Sequence, residues 1–456
     1  MKTGSGEELA GSLRRRIERG ELRPGTRLDS IREASRRLAV SRYTVLAAYQ
    51  ELTGLGLVES RHGSGFYVSS FARTGKTPPR HVTSLDRLLD TALLIRGLVE
   101  PGSLLKCGSG ILPREWLLEL GLHKQVRSVA AQPSAELYGY GTVLGHGPLR
   151  EAVQGRLARR RIACAADHVV LTTGISQGLE LVVRAICRPG DLVFVENPAY
   201  YNLFGLLEIS GLRTASVPRT PEGPDMEALE DLLRQGEVPR IFFMQSLLHN
   251  PTGNSMSPAT AHRLLLLAEQ HDFLIVEDDA YGDMAEEQDL RLAALDGLDR
   301  VIYLSGFTKT LSAGLRVGYA AAGGALTDAL ARAKLLTSIA SSEFVERVVY
   351  RVIADGGYER FTASLRHRLR GAQEAWEDEL RRAGWEIFPG PRRGMFVWAR
   401  HPRWPDSGLL ARSAAAAGFW FAPGSAFDPE HGPSPWIRFN VAYRTPALSA
   451  WLQHPR

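Results

Sequence analysis

Five short apolar runs follow one another after about residue 135: HVVLTT, DLVFVE, RIFFMQS, FLIVEDD and VIYLSG. They are continuously apolar, and stretches with helical spacing separate them. A strand that faces water on one side alternates apolar with polar residues, whereas a strand covered on both faces does not. The pattern therefore predicts an α/β body, a mostly parallel sheet with helices on both faces. In such sheets ligands sit beyond the carboxyl ends of the strands. Nearly every polar cluster of this chain falls there.

The first 70 residues read differently. Leu9, Leu13 and Ile17 recur at four-residue steps, as on an amphipathic helix. Ser30 followed by Glu33 is a capping box for a short helix reaching about Leu38. Ser41 is placed to cap a third helix carrying Val45, Tyr49 and Leu52 on one side. LVESRHGSGFYV then reads as two strands around a tight tip. Three helices and a hairpin predict a winged helix-turn-helix over residues 1–69. The next stretch, 70–97, combines a paired-proline linker with a connecting helix. The body is expected over 98–456, with a large part at about 130–335 and a small part mainly at 340–456.

At 456 residues the chain is too long for one core, which agrees with this division. Its charge is uneven: residues 1–70 carry 12 Lys/Arg against 8 Asp/Glu, and the remainder 43 against 42. A small basic segment on a near-neutral body suits a polyanion-binding module. Three scattered cysteines imply neither a disulfide framework nor a metal site. With a polar N-terminus and no apolar run of membrane length, the expected location is the cytoplasm.

The chemistry-bearing residues lie in the body. TTGISQ follows a strand and opens a helix, so the amides of Ile175, Ser176 and Gln177 either face an anion or make an ordinary turn. Asn250 in HNPTG either donates to a phenolate or caps its turn. Glu277, Asp278 and Asp279 close an apolar strand, with Tyr281 just beyond. A buried carboxylate needs a cation, and a protonated pyridine nitrogen would serve. The rival is a metal, but no histidine or cysteine is nearby, and Mg²⁺ would want a phosphate substrate.

SGFTKTLSAGLR places Lys309 directly after a buried strand and Arg316 seven residues on. A lysine partly out of water has a depressed pKa, so its amine is free to condense with an aldehyde. Arg316 would hold a phosphate as a charge-assisted pair. An amine, an acid for a pyridine nitrogen, a phenolate donor and a phosphate clamp together define a pyridoxal 5′-phosphate site.

On these motifs, residues from about 100 to 456 resemble the aspartate-aminotransferase-like enzymes of fold type I. The resemblance implies that Lys309 forms an internal aldimine with the cofactor and that Asp278 pairs with its ring nitrogen. It gives Tyr281 and Asn250 the ring oxygen, and Arg316 with Ile175, Ser176 and Gln177 the phosphate. Tyr200 in ENPAYYN matches the stacking aromatic, and Tyr140 a tyrosine that reaches the neighbouring subunit's phosphate. Arg438 in WIRFNVA matches the arginine that binds a substrate carboxylate. Gly306 stands where relatives have Ser or Thr, flanked by Ser305 and Thr308, and Ile175 stands where they have Ser.

Residues 28–68 resemble the GntR-type winged helix. This implies that the helix from Ser41 enters the major groove of double-stranded DNA and that Arg42 meets a base edge or phosphate. Arg32, Tyr43 and Thr44 would touch the backbone, and Arg61 and His62 an adjacent groove. Asp29 and Ala39 replace the family's usual proline and turn glycine. Reader, linker and body together resemble the MocR class of transcriptional regulators, typically head-to-tail homodimers. The expected function is a regulator that senses an amino acid or amine effector through pyridoxal phosphate. The competing expectation is a working aminotransferase that carries a DNA-binding domain.

Overall fold

The computed structural model describes residues 6–18, 21–23, 25–54, 57–61, 65–69, 97, 104–132 and 138–453. The chain divides into two compact units, Met1–Arg87 and Leu88–Arg456. His62, the linker and, apart from Gly97, the connecting helix expected at 70–97 lie outside the described residues.

The first unit consists of α1 (Gly6–Glu18), α2 (Ile31–Leu38), α3 (Arg42–Gly54) and the antiparallel strands β1 (Val58–Arg61) and β2 (Gly65–Val68). Leu13 and Ile17 pack with Ala34, Val45, Tyr49 and Leu52, so the four-residue spacing of α1 becomes its buried face. The capping box forms as expected: Glu33 N–H donates to Ser30 Oγ at 3.3 Å, and Ser30 N–H to Glu33 Oε2 at 2.9 Å. Ala39 ends α2 in the left-handed region with φ 53°, so the turn keeps its geometry without the glycine that would adopt it freely. Asp29 pairs with Arg37 at 2.9 Å, and its carbonyl accepts the Tyr49 hydroxyl at 2.9 Å.

The second unit is built on an eight-stranded sheet. Its strands are β3 (Val169–Thr172), β4 (Leu192–Asn197), β5 (Arg213–Thr220), β6 (Gly223–Pro224), β7 (Ile241–Met244), β8 (Leu274–Asp279), β9 (Val301–Gly306) and β10 (Gly318–Ala321). Their order is β3-β10-β9-β8-β7-β4-β5-β6. The central pairs from β5 to β9 are parallel, whereas β10 runs antiparallel to both β3 and β9. Two separate apolar clusters cover the two faces. The apolar runs are therefore doubly buried strands, and their carboxyl ends converge on one rim.

A second core belongs to a three-stranded antiparallel sheet of β11 (Glu386–Ile387), β12 (Phe396–Arg400) and β13 (Trp436–Asn440), packed by the long helix Gly357–Arg382. Residues 104–112 also join this part. Leu105 N–H donates to Gly418 O, Gly108 N–H to Trp420 O, and Asn440 N–H to Cys107 O. Among the described residues, no helix is long and apolar enough to cross a membrane, and no group of three or more His, Cys, Asp or Glu is placed to hold a metal ion.

Candidate functional site

Strand alternation sorts the three acids that end β8. Successive side chains point to opposite faces, so Glu277 and Asp279 go one way and Asp278 the other. Glu277 accepts the amides of Leu292 and Ala293, each at 2.9 Å, and the Ser246 hydroxyl. Asp279 pairs with Arg291 Nε at 2.9 Å and accepts the Tyr303 hydroxyl. Only Asp278 faces the cleft, whose wall also includes Lys309, Tyr200, Tyr281, Asn250 and Arg316.

The electrostatics of that cleft follow from its dryness. Burial pushes the Asp278 carboxyl up to about 7 and the Asp279 charge adds to this, while Lys309, the Ala280 amide and Gln245 oppose it. Burial, then the positive charge of Arg438, brings Lys309 down to about 8; Asp278 opposes and Arg316 adds. An amine in that range is still mostly protonated at pH 7, but its neutral, nucleophilic fraction is about a hundredfold or more above that of an ordinary lysine. Its Nζ lies 5.7 Å from the centre of the Tyr281 ring. Tyr281 is buried, and burial raises its phenol and that of Tyr200. Both stay protonated and can donate.

Asn250 is oriented by its neighbours. Its Oδ1 accepts Arg438 Nη1 at 2.6 Å, which leaves Nδ2 as the donor. Arg438 is buried, with its guanidinium carbon 4.6 Å and 4.8 Å from the centres of the Phe396 and Phe427 rings. Its Nε and Nη2 donate to Gly108 O at 3.1 and 2.6 Å. A further N–H on each terminal nitrogen is left to fork onto a carboxylate.

At the other end of the cleft, Gly174, with φ +75°, starts the helix Gly174–Ile186. A Cβ there would lie 2.8 Å from Arg316 Nη2, so the missing side chain makes room for the guanidinium. Arg316 Nη2 donates to Thr173 O at 3.4 Å. Ile175 and Ser176 line the cleft, and the Thr308 hydroxyl is buried without a hydrogen-bond partner. Helix amides, a guanidinium and an orphaned hydroxyl form an anion cradle. Beside an amine, an acid and two phenols, this donor set fits pyridoxal 5′-phosphate.

Not every residue named from sequence reaches the cleft. The Ser305 hydroxyl donates to Asp279 O at 3.0 Å on the opposite face of the sheet's rim. The Gln177 side chain turns back, accepting Thr173 N–H at 2.6 Å and donating to Ser338 at 3.0 Å. Tyr140 is 84% exposed and outside the cleft. Gly306 has a steric reason: a Cβ there would lie 2.8 Å from the Gly318 Cα, where β9 and β10 touch.

Two features escaped the sequence reading. Gln245 lines the cleft, but a glutamine at a strand end carries no periodic or motif signal. Gly110 roofs it, since a Cβ there would meet Tyr281 OH at 3.1 Å and Lys309 Nζ at 3.7 Å. The signal was the paired glycines of KCGSGIL in an aperiodic stretch.

On the first unit, Arg32, Arg42 and Tyr43 are exposed, Tyr43 to 80%. Ser41 Oγ accepts Thr44 N–H at 3.0 Å and bonds its hydroxyl at 2.8 Å, so this pair caps α3. Arg61 lies in the hairpin ladder opposite Gly65.

Comparison with known proteins agrees with both units. The family "Aminotransferase class I and II" matches residues 117–450, and "Bacterial regulatory proteins, gntR family" matches residues 5–68. The HTH-type transcriptional regulator YdcR of Escherichia coli is 30% identical over 448 residues, covering 96% of this chain and 95% of its own. The probable rhizopine catabolism regulatory protein MocR of Rhizobium meliloti is 29% identical, covering 91% and 85%. Among solved structures, LysN, the α-aminoadipate aminotransferase of Thermus thermophilus, complexed with N-(5′-phosphopyridoxyl)-L-leucine, superposes with a TM-score of 0.72. It is 26% identical and covers 79% of this chain and 92% of its own. Class I and II aminotransferases depend on pyridoxal phosphate, and here that body follows a GntR helix-turn-helix. The chain belongs to the MocR-like transcriptional regulators, in which a GntR DNA-binding domain is joined to an aminotransferase-like domain.

Proposed function

We propose that this regulator senses an amino compound bearing a carboxylate, through pyridoxal phosphate held at Lys309, and alters its DNA binding in response. The observation that carries the reading is one cleft that brings an amine of lowered pKa, a lone acid and an anion cradle together. The cofactor supplies an aldehyde able to exchange one primary amine for another. Lys309 provides the resident amine, and Asp278 holds a proton at the ring nitrogen. Asn250 Nδ2 and Tyr281 donate to the ring oxygen, and Tyr200 supplies an aromatic face. Arg316, Thr308 and the amides of Ile175 and Ser176 receive the phosphate. Arg438 offers two N–H groups to the effector's carboxylate, which makes amino acids better ligands than simple amines.

Arg42, with Arg32 and Tyr43, supplies the contacts of α3 and its surroundings to operator DNA. The working assembly in this reading is a head-to-tail homodimer in the cytoplasm. The 84% exposure of Tyr140 supports a role in the neighbouring subunit's site, and the three free cysteines suit a reducing compartment.

The test is a titration of the cofactor-loaded protein with a panel of amino acids and amines, followed by visible absorption, with and without DNA from upstream of its own gene. The expected result is a saturable change for one class of amino acid, a DNA affinity that moves with it, and no sustained product. Lys309→Ala should abolish the spectral change. Continuous turnover with a keto acid, without any specific DNA site, would overturn the proposal in favour of a catalytic aminotransferase.

A further inference from the structure

We infer that Gln245 is a positioning residue that ties the ring-oxygen donor Asn250 to the acid Asp278, so that one amide sets both polar contacts of the pyridine ring. The inference rests on the cofactor reading above. Gln245 Oε1 accepts the backbone N–H of Asn250 at 2.8 Å. Its side chain also stands beside Asp278, where it favours the charged carboxylate. All three residues line the same cleft.

The backbone of Gln245 is itself held from two sides. Its N–H donates to Glu196 Oε2 at 2.8 Å, and its carbonyl accepts Arg219 Nη1 at 2.8 Å. Glu196 and Arg219 form a fully buried ion pair. With the backbone clamped, the amide has little freedom to slide, and its two ends are distinguishable. The acceptor end meets an N–H that cannot accept, so the NH₂ end is the one left to face the carboxylate. The other groups acting on Asp278 are Asp279, which disfavours its charge, and Lys309 with the Ala280 amide, which favour it. Lys309 would change its own bonding when another amine replaces it on the cofactor, whereas Gln245 would not. Gln245 is thus a polar neighbour of the acid whose own bonding the exchange leaves unchanged.

The experiment compares wild type, Gln245→Leu, Gln245→Met and Gln245→Glu in the full-length protein. The readouts are pyridoxal phosphate affinity by fluorescence, position of the bound cofactor's visible band, thermal stability of the unloaded protein, and operator binding. Leu and Met, which lack both ends of the amide, should weaken cofactor binding about tenfold or more and move the band. Glu keeps the acceptor for Asn250 but sets a second carboxylate against Asp278; it should move the band in the same direction. Should Leu unfold the protein, Met, which is closer in shape, carries the comparison. Variants that bind the cofactor within about twofold of wild type, with an unmoved band, would overturn the inference and leave the function standing. A wild-type protein that takes up no pyridoxal phosphate would instead sink the reading on which it rests.

Discussion

Asp278 and Lys309 share a cleft and are shifted in opposite senses, the acid up to about 7 and the amine down to about 8. Both shifts favour neutral forms, which dry surroundings impose on charges that lack a partner. The linkage sign follows. A carboxyl raised in the folded state contributes stability that is complete below its unfolded pKa, near 3.8, and is lost as pH climbs toward 7. The unloaded protein should therefore lose stability between about pH 4 and 7 through Asp278. Asp278→Asn should flatten that slope by up to about 1.4 kcal/mol per pH unit, read from denaturant unfolding at a series of pH values. Glu277, also pushed up to about 7 by burial, contributes a parallel slope that this variant leaves in place. Loading with pyridoxal phosphate gives Asp278 a cation, and should flatten the wild-type curve in the same way. An unchanged slope in Asp278→Asn would mean that this acid does not titrate in the window.

At the scale of elements, much was legible because burial writes itself into spacing. The doubly covered strands β4, β7, β8 and β9 are continuous apolar runs, and Ser30 with Glu33 announces the start of α2. What stayed hidden depends on contacts between distant segments. The antiparallel β10 is only GYAA, and β11 has two residues, too short for any period. Ser305 and Thr308 both stand shortly before Lys309 and flank Gly306, so sequence does not choose between them. Only the alternation along β9 and the turn after it decides that one hydroxyl meets Asp279 and the other is left free. The same contact between β9 and β10 explains Gly306, so Gly306→Ser should not restore a family hydroxyl. It should cost about 1–3 kcal/mol by overpacking against Gly318 and weaken cofactor binding, measured by thermal melts and fluorescence titration. Ala39 is the opposite case, a residue with a Cβ at φ 53°. Ala39→Gly should stabilise the α2–α3 turn by up to about 1 kcal/mol, seen as slower amide exchange in Ile31–Leu38.

For the whole molecule, a basic reader and a small-molecule cleft make sense together only if the two sites exchange free energy. An effector moves an equilibrium solely by its differential affinity for two states. If binding at Arg438 and Lys309 changes operator affinity by some factor, the operator must change effector affinity by that same factor. The two halves of this cycle are measurable independently: DNA binding by anisotropy with and without effector, and effector binding by visible absorption with and without operator. Typical couplings of about 1–3 kcal/mol correspond to factors of about 5–150, well within reach of both methods. Lys309→Ala should remove the coupling while leaving basal operator affinity within about twofold, since that residue belongs to the second unit. Arg42→Ala should do the reverse, weakening DNA binding and its salt dependence while the unliganded cleft titrates as before. A Lys309→Ala protein whose operator affinity still responds to the effector would place sensing somewhere other than this lysine.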